Sequence, residues 1–156
     1  LYGNEIGPAG ARALAQSPAL SNLRWLKLRS NPLGSAGFAA IVASPHLTRL
    51  ACLEVDACDI GDDGIAALAE PGVLPALRTL VLKENPLTEK SAAVFAQTEA
   101  LGRLEWLSLH ATKLGKKGLA LLVGARHLEG KFTGLPGYSS ISRGRTFTLE
   151  LPYGTV

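Results

Sequence analysis

Residues 59–70 read D-I-G-D-D-G-I-A-A-L-A-E, and Asp59, Asp63, Gly64 and Glu70 fall at the first, fifth, sixth and twelfth positions of a calcium-binding loop. The third position is Gly61, which offers no side-chain oxygen. Three histidines, His46, His110 and His127, stand far apart, with no cysteine or carboxylate at metal-ligand spacing. Cys52 and Cys58 are six residues apart. Along one strand that is ~20 Å, well beyond the ~7 Å that a disulfide spans. No G-x-S-x-G, P-loop or dinucleotide fingerprint occurs. The expectation is therefore no catalytic residue, no metal and no cofactor. The informative types that remain are Trp25, Trp106, Tyr2 and Arg29, which suit recognition better than reaction.

What positions them is a repeat. At an offset of 27, Leu23, Leu50, Leu77 and Leu104 share a column, and so do Leu26, Leu53, Leu80 and Leu107. Leu1, Leu28, Val55, Leu82 and Leu109 form a third. Asn4, Asn31, Cys58, Asn85 and Thr112 follow, then Ile6, Leu33, Ile60, Leu87 and Leu114. Two glycine columns run through Gly7, Gly34, Gly61 and Gly115, and through Gly10, Gly37, Gly64 and Gly118; Thr88 and Ser91 are the exceptions. Leu20, Leu47, Leu74, Leu101 and Leu128 close the units, and no gap is needed. Residues 131–156 leave this frame.

Each unit has two halves. Leu26 and Leu28 alternate with Lys27 and Arg29, a strand with one buried face. Asn31-Pro32 turns the chain. Gly37, Ala40 and Ile41 then make a helical stripe that Ser44-Pro45 closes. Asp62 and Asp63 sit at a helix start, where carboxylates suit the dipole, with residues 66–69 helical. Glycines on the stripe allow close approach, and Ala13, Ala40 and Ala67 keep the helix layer thin. With few aromatics, the core should be aliphatic. One unit cannot bury its apolar face alone, but stacked units can.

The run L-R-W-L-K-L-R-S-N-P-L-G-S-A-G-F-A-A-I resembles a leucine-rich repeat of the ribonuclease-inhibitor type, and the likeness covers residues 1–130. The resemblance implies an α/β fold: a right-handed solenoid shaped as a horseshoe arc, parallel strands on its concave face and helices on its convex face. It implies protein or peptide partners bound on the concave side, as in ribonuclease inhibitors, innate-immune sensors and Ran GTPase activators. A GTPase-activator-like or other regulatory arm of an enzyme is the alternative. In such proteins the Asn31 column turns inward and bonds nearby backbone, which gives Cys58 a structural role.

The outward strand positions are then Trp25, Lys27 and Arg29; Cys52, Glu54 and Asp56; Thr79, Val81 and Lys83; Trp106, Ser108 and His110; Tyr2 shares the column of Arg29. Of these, Tyr2, Trp25, Lys27, Arg29, Glu54, Asp56, Lys83, Trp106 and His110 are the expected partner-binding residues. Packing of the Trp rings over neighbouring aliphatic stems is the competing explanation. The row Arg29, Asp56, Lys83 and His110 mixes signs, which argues against a phosphate-tracking stripe.

The 156 residues include 28 Leu and 22 Ala, an excess that the repeat explains. Net charge is +3, of which Lys131, Arg143 and Arg145 against Glu150 supply +2. The basicity thus belongs to the out-of-frame end, and neither nucleic acid nor membrane is expected as partner. Apolar runs stop far short of the roughly 20 residues of a membrane span. No signal peptide is visible, and two unpaired cysteines favour a reducing, cytoplasmic compartment. Leu1 enters inside a unit, which suggests a piece of a longer array. Residues 146–151 alternate like a strand, read either as a terminal cap strand or as part of a linker.

Overall fold

The computed structural model describes residues 1–129, 132 and 133. The strand expected at residues 146–151 lies outside them. Strands β1 (Trp25–Lys27), β2 (Cys52–Glu54), β3 (Thr79–Val81), β4 (Trp106–Ser108) and β5 (Phe132–Thr133) alternate with helices α1 (Pro8–Ala15), α2 (Gly34–Val42), α3 (Asp62–Ala66), α4 (Glu89–Gln97) and α5 (Gly115–Gly124). The strands form one sheet in chain order, all parallel. Trp25, Cys52, Thr79 and Trp106 pair across β1 to β4 at the 27-residue step of the sequence columns. The last strand pairs Leu107 with Phe132, a 25-residue step, so the sheet continues where the repeat frame has ended.

Inward strand positions make the core. Leu53, Leu80 and Leu107 are fully buried and Leu26 nearly so, and Leu28, Val55, Leu82 and Leu109 form a second buried row. The expectation of a purely aliphatic core needs correction. Phe38 of α2 and Phe95 of α4 are the largest fully buried side chains. Volume is traded between helix columns, since Phe95 shares its helix with buried Ala92 where the unit before has Ile65 in α3 and Leu68 just beyond it. Close packing tolerates such volume-conserving exchanges.

Helices pack on their sequence neighbours as the glycine columns suggest. A Cβ on Gly64 would come within 3.0 Å of the Ser35 Cα, and one on Gly118 within 3.2 Å of the Ala92 Cβ. The alanine expectation is only partly met. Ala40 and Ala67 are half-buried, but Ala13 is exposed, because its face of α1 carries no packed helix; Ala11 and Ala15 make the contact instead. Residues 66–69 are helical, although the α-helix gives way after Ala66 to a 3-10 turn at Ala67–Ala69.

Candidate functional site

Because the leucines point inward, alternate residues of each strand point outward in three rows. The first holds Trp25, Cys52, Thr79 and Trp106, the second Lys27, Glu54, Val81 and Ser108. Three strand steps separate the two tryptophans, about 14 Å. The third row, Arg29, Asp56, Lys83 and His110, lies just past the strands. There the ladder continues through Ser30 N–H to the Asp56 carbonyl (2.9 Å), Ala57 N–H to Lys83 (2.9 Å) and Glu84 N–H to His110 (3.0 Å). Tyr2 joins this row, since Gly3 N–H donates to the Arg29 carbonyl at 3.1 Å and the guanidinium carbon lies 5.8 Å from the Tyr2 ring centre.

The structure brings all nine expected residues to this face, with different exposure. Tyr2 (66%), Trp25 (64%) and Trp106 (41%) stand in solvent, far more than rings packed away over their neighbours would. Arg29, Lys83 and His110 are exposed. Lys27 Nζ pairs with Glu54 Oε1 at 2.8 Å, and this hydrogen bond, then the charge of Glu54, raises the lysine pKa. Asp56 departs from the expected presentation to a partner. It is only 6% exposed, and its Oδ1 accepts the Lys83 N–H at 3.2 Å. Desolvation raises its pKa against the pull of that bond and of the Lys83 and Arg29 charges. Cys52, Val81 and Ser108 are buried as well, small side chains flanked in their rows by neighbouring strands.

The rows end where they do because of a shared turn. Residues 30, 57, 84 and 111, none of them glycine, all hold φ between 49° and 56°, and Gly3 sits at 60° in the same column. Left-handed backbone costs such residues about 1–2 kcal/mol each, so something must hold them there. The next residue does so. Asn85 Oδ1 accepts from Cys58 N (3.1 Å) and Ile60 N (3.0 Å), while its Nδ2 donates to the carbonyls of Val55, Leu82 and Lys83. Asn31 repeats the pattern with Asn4, Ile6, Leu1, Leu28 and Arg29. Cys58 makes the carbonyl half of the set, its thiol donating to Leu28 and Asp56 at 3.2 Å each. Thr112 donates to the Leu109 carbonyl at 2.7 Å.

Reactive chemistry finds little support in this geometry. Burial raises the pKa of both cysteines, which disfavours the nucleophilic thiolate. His127 is spent on the Phe95 carbonyl at 3.1 Å. Among the described residues no three His, Cys, Asp or Glu side chains gather as a metal site. The acidic segment serves the helix layer. Ser35 Oγ accepts the Gly61 N–H at 3.0 Å, and one unit later Asp62 Oδ1 accepts the Thr88 N–H at 2.9 Å. The carboxylate also takes the Thr88 hydroxyl (2.6 Å), the Ser91 N–H (3.2 Å) and the Ser91 hydroxyl. One acid thus binds both residues that interrupt the glycine columns. Desolvation alone would raise its pKa, but the bonds from Ser91 and Thr88 outweigh it and the pKa is lowered.

Sequence reasoning found the rows but missed the burial of Asp56, the left-handed column and the reach of Asp62. A family model for leucine-rich repeats matches residues 43–69, the stretch that holds β2, Cys58 and α3. No curated protein matches the chain. The chain therefore carries a leucine-rich repeat, and its α/β build of parallel strands in chain order is compatible with that fold.

Proposed function

We propose that the chain is a non-catalytic interaction scaffold of ribonuclease-inhibitor-like repeats, a right-handed arc that binds a protein or peptide partner on its concave strand face. One observation carries this reading. Both tryptophans of the chain stand in one row, in register across four strands, and both are exposed. Large aromatic side chains in solvent on a rigid sheet are the usual anchors of a protein interface. Helical halves of nine residues in α2 and α4 and ten in α5 favour this repeat subtype, while α3 has five before its 3-10 turn. The free thiols of Cys52 and Cys58 suit a reducing, cytoplasmic setting. Residues 131–156 are read as a cap strand or a linker, of which Phe132–Thr133 pair out of frame on β4.

The test is a pair of variants, Trp25→Ala and Trp106→Ala, in affinity capture with the 156-residue chain followed by titration of the captured partner. Each should weaken binding by about tenfold or more and leave the urea midpoint nearly unchanged. Undiminished binding by the double variant would sink the concave-face reading.

A further inference from the structure

The charges of the strand face are not all available to a ligand. Glu54 is held by Lys27 at 2.8 Å, and Asp56 is buried with an oxygen committed to the Lys83 N–H. The two acids of the rows are thus withdrawn. Arg29 and Lys83 are exposed, and among the described residues neither makes an ion pair. Tyr2 steadies the guanidinium from one side. Of the exposed charges that adjoin the rows, Arg24 and Arg78 offset Glu84 and Glu105. Asp56 lowers the net charge of its row without offering an open carboxylate. The mixed-sign row of the sequence is therefore, at its accessible surface, a row of cations and His110, lying about four residues along the strands from the Trp row.

We infer that this face selects an acidic peptide segment, with carboxylates on Arg29 and Lys83 and an apolar side chain on Trp25 or Trp106. The inference rests on the strand-face reading above and adds the partner's chemistry. Arg29 and Lys83 are two strand steps apart, about 10 Å, so two carboxylates of one short segment can meet both. An arginine held over a ring offers a carboxylate two parallel N–H donors. A basic segment would face unpaired like charges, which interfaces reject strongly. A single-stranded nucleic acid would also find cations and rings here, but among the described residues of the rows only Arg29 and Lys83 are exposed cations outside an ion pair, two points rather than the continuous basic groove that a phosphate backbone tracks.

The experiment pans a display library of random dodecapeptides on the full 156-residue chain and titrates the recovered peptides by fluorescence anisotropy. The recovered set should be enriched in Asp and Glu. Its affinity should fall by about tenfold or more in Arg29→Glu/Lys83→Glu and decline with added salt. Circular dichroism of that variant should match wild type, and its urea midpoint should fall only modestly, since both residues are exposed but Asp56 loses the Lys83 and Arg29 charges that favour its ionised form. Three results overturn the inference: no acidic enrichment, equal binding to the charge-reversed variant, or tighter binding of an oligo(dT) strand. Trp25→Ala/Trp106→Ala separates the two levels. Binding lost there but kept in the charge-reversed variant removes the acidic preference and leaves the strand-face reading. Binding kept in both, or recovery of no peptide, removes both.

Discussion

On the inward side of the strands, Leu26, Leu53, Leu80 and Leu107 stand in register and are almost wholly removed from water. On the outward side of the same strands, the matching row holds Trp25, Cys52, Thr79 and Trp106, three residue types in four positions. The inward side repeats because each unit solves one packing problem in the same way. The outward side is free of that problem, so its side chains can differ from unit to unit. The turn column joins the two sides. It takes the chain through a left-handed residue and fixes the third outward row in place. Inward changes should therefore cost stability, and changes at the exposed outward residues should cost only binding.

The largest loss is expected on the inward side at the turn. Asn85→Ala removes five hydrogen bonds and orphans the buried N–H groups of Cys58 and Ile60. A destabilisation of about 4 kcal/mol is expected in urea unfolding. Cys58→Ala, which loses only the carbonyl half, should cost clearly less; equal costs would show that the asparagine pattern is not what holds the turn.

Next is Asp62→Ala, which strips the acceptor from Thr88 and from fully buried Ser91. About 2–3 kcal/mol should be lost. The loss should depend on pH. The folded-state pKa of Asp62 lies below its unfolded value, so the unfolded chain binds the proton more readily. Its contribution is then full above the unfolded pKa of about 4 and fades as pH falls through the depressed folded value. Unfolding of wild type and variant compared from neutral to strongly acidic pH should show the gap closing at the acid end. A gap that widens there would contradict the assignment.

A smaller change of opposite sign is expected at the joint. Glu84→Gly relieves a side chain held at φ 56° on an exposed residue. It should stabilise by up to about 1 kcal/mol, read as a higher urea midpoint at unchanged slope. The smallest stability effect should come from the outward rows. Trp25→Ala should stay within about 0.5 kcal/mol of wild type, since the ring is 64% exposed. A loss of several kcal/mol would mean that the ring holds the fold together, and the contrast between the two sides would fail.

Much of this was legible in the sequence because leucine, asparagine and glycine recur at one fixed step, and parallel strands in register convert that step directly into columns. Alternation then sorted Trp25 and Trp106 to the outside. What stayed hidden depends on three-dimensional neighbours. Asp56 has the spacing of an outward residue, yet the strand beyond it supplies the N–H that holds it in place. The left-handed positions carry Ser30, Ala57, Glu84 and Ala111, which give no glycine signal, because the following turn residue enforces their conformation. The role of Asp62 left one trace. Both interruptions of the glycine columns, Thr88 and Ser91, fall in one unit, directly after the unit that carries the acid.

The measurement that bears most directly on the strand face uses the two tryptophans themselves, since they are the only ones in the chain and both stand in the outward row. Acrylamide quenching of their fluorescence should be efficient in the free protein. Saturation with a bound partner protein or peptide that contains no tryptophan should cut that quenching sharply and shift the emission to shorter wavelength. Quenching and emission unchanged in a saturated complex would place the partner elsewhere and contradict the proposed site.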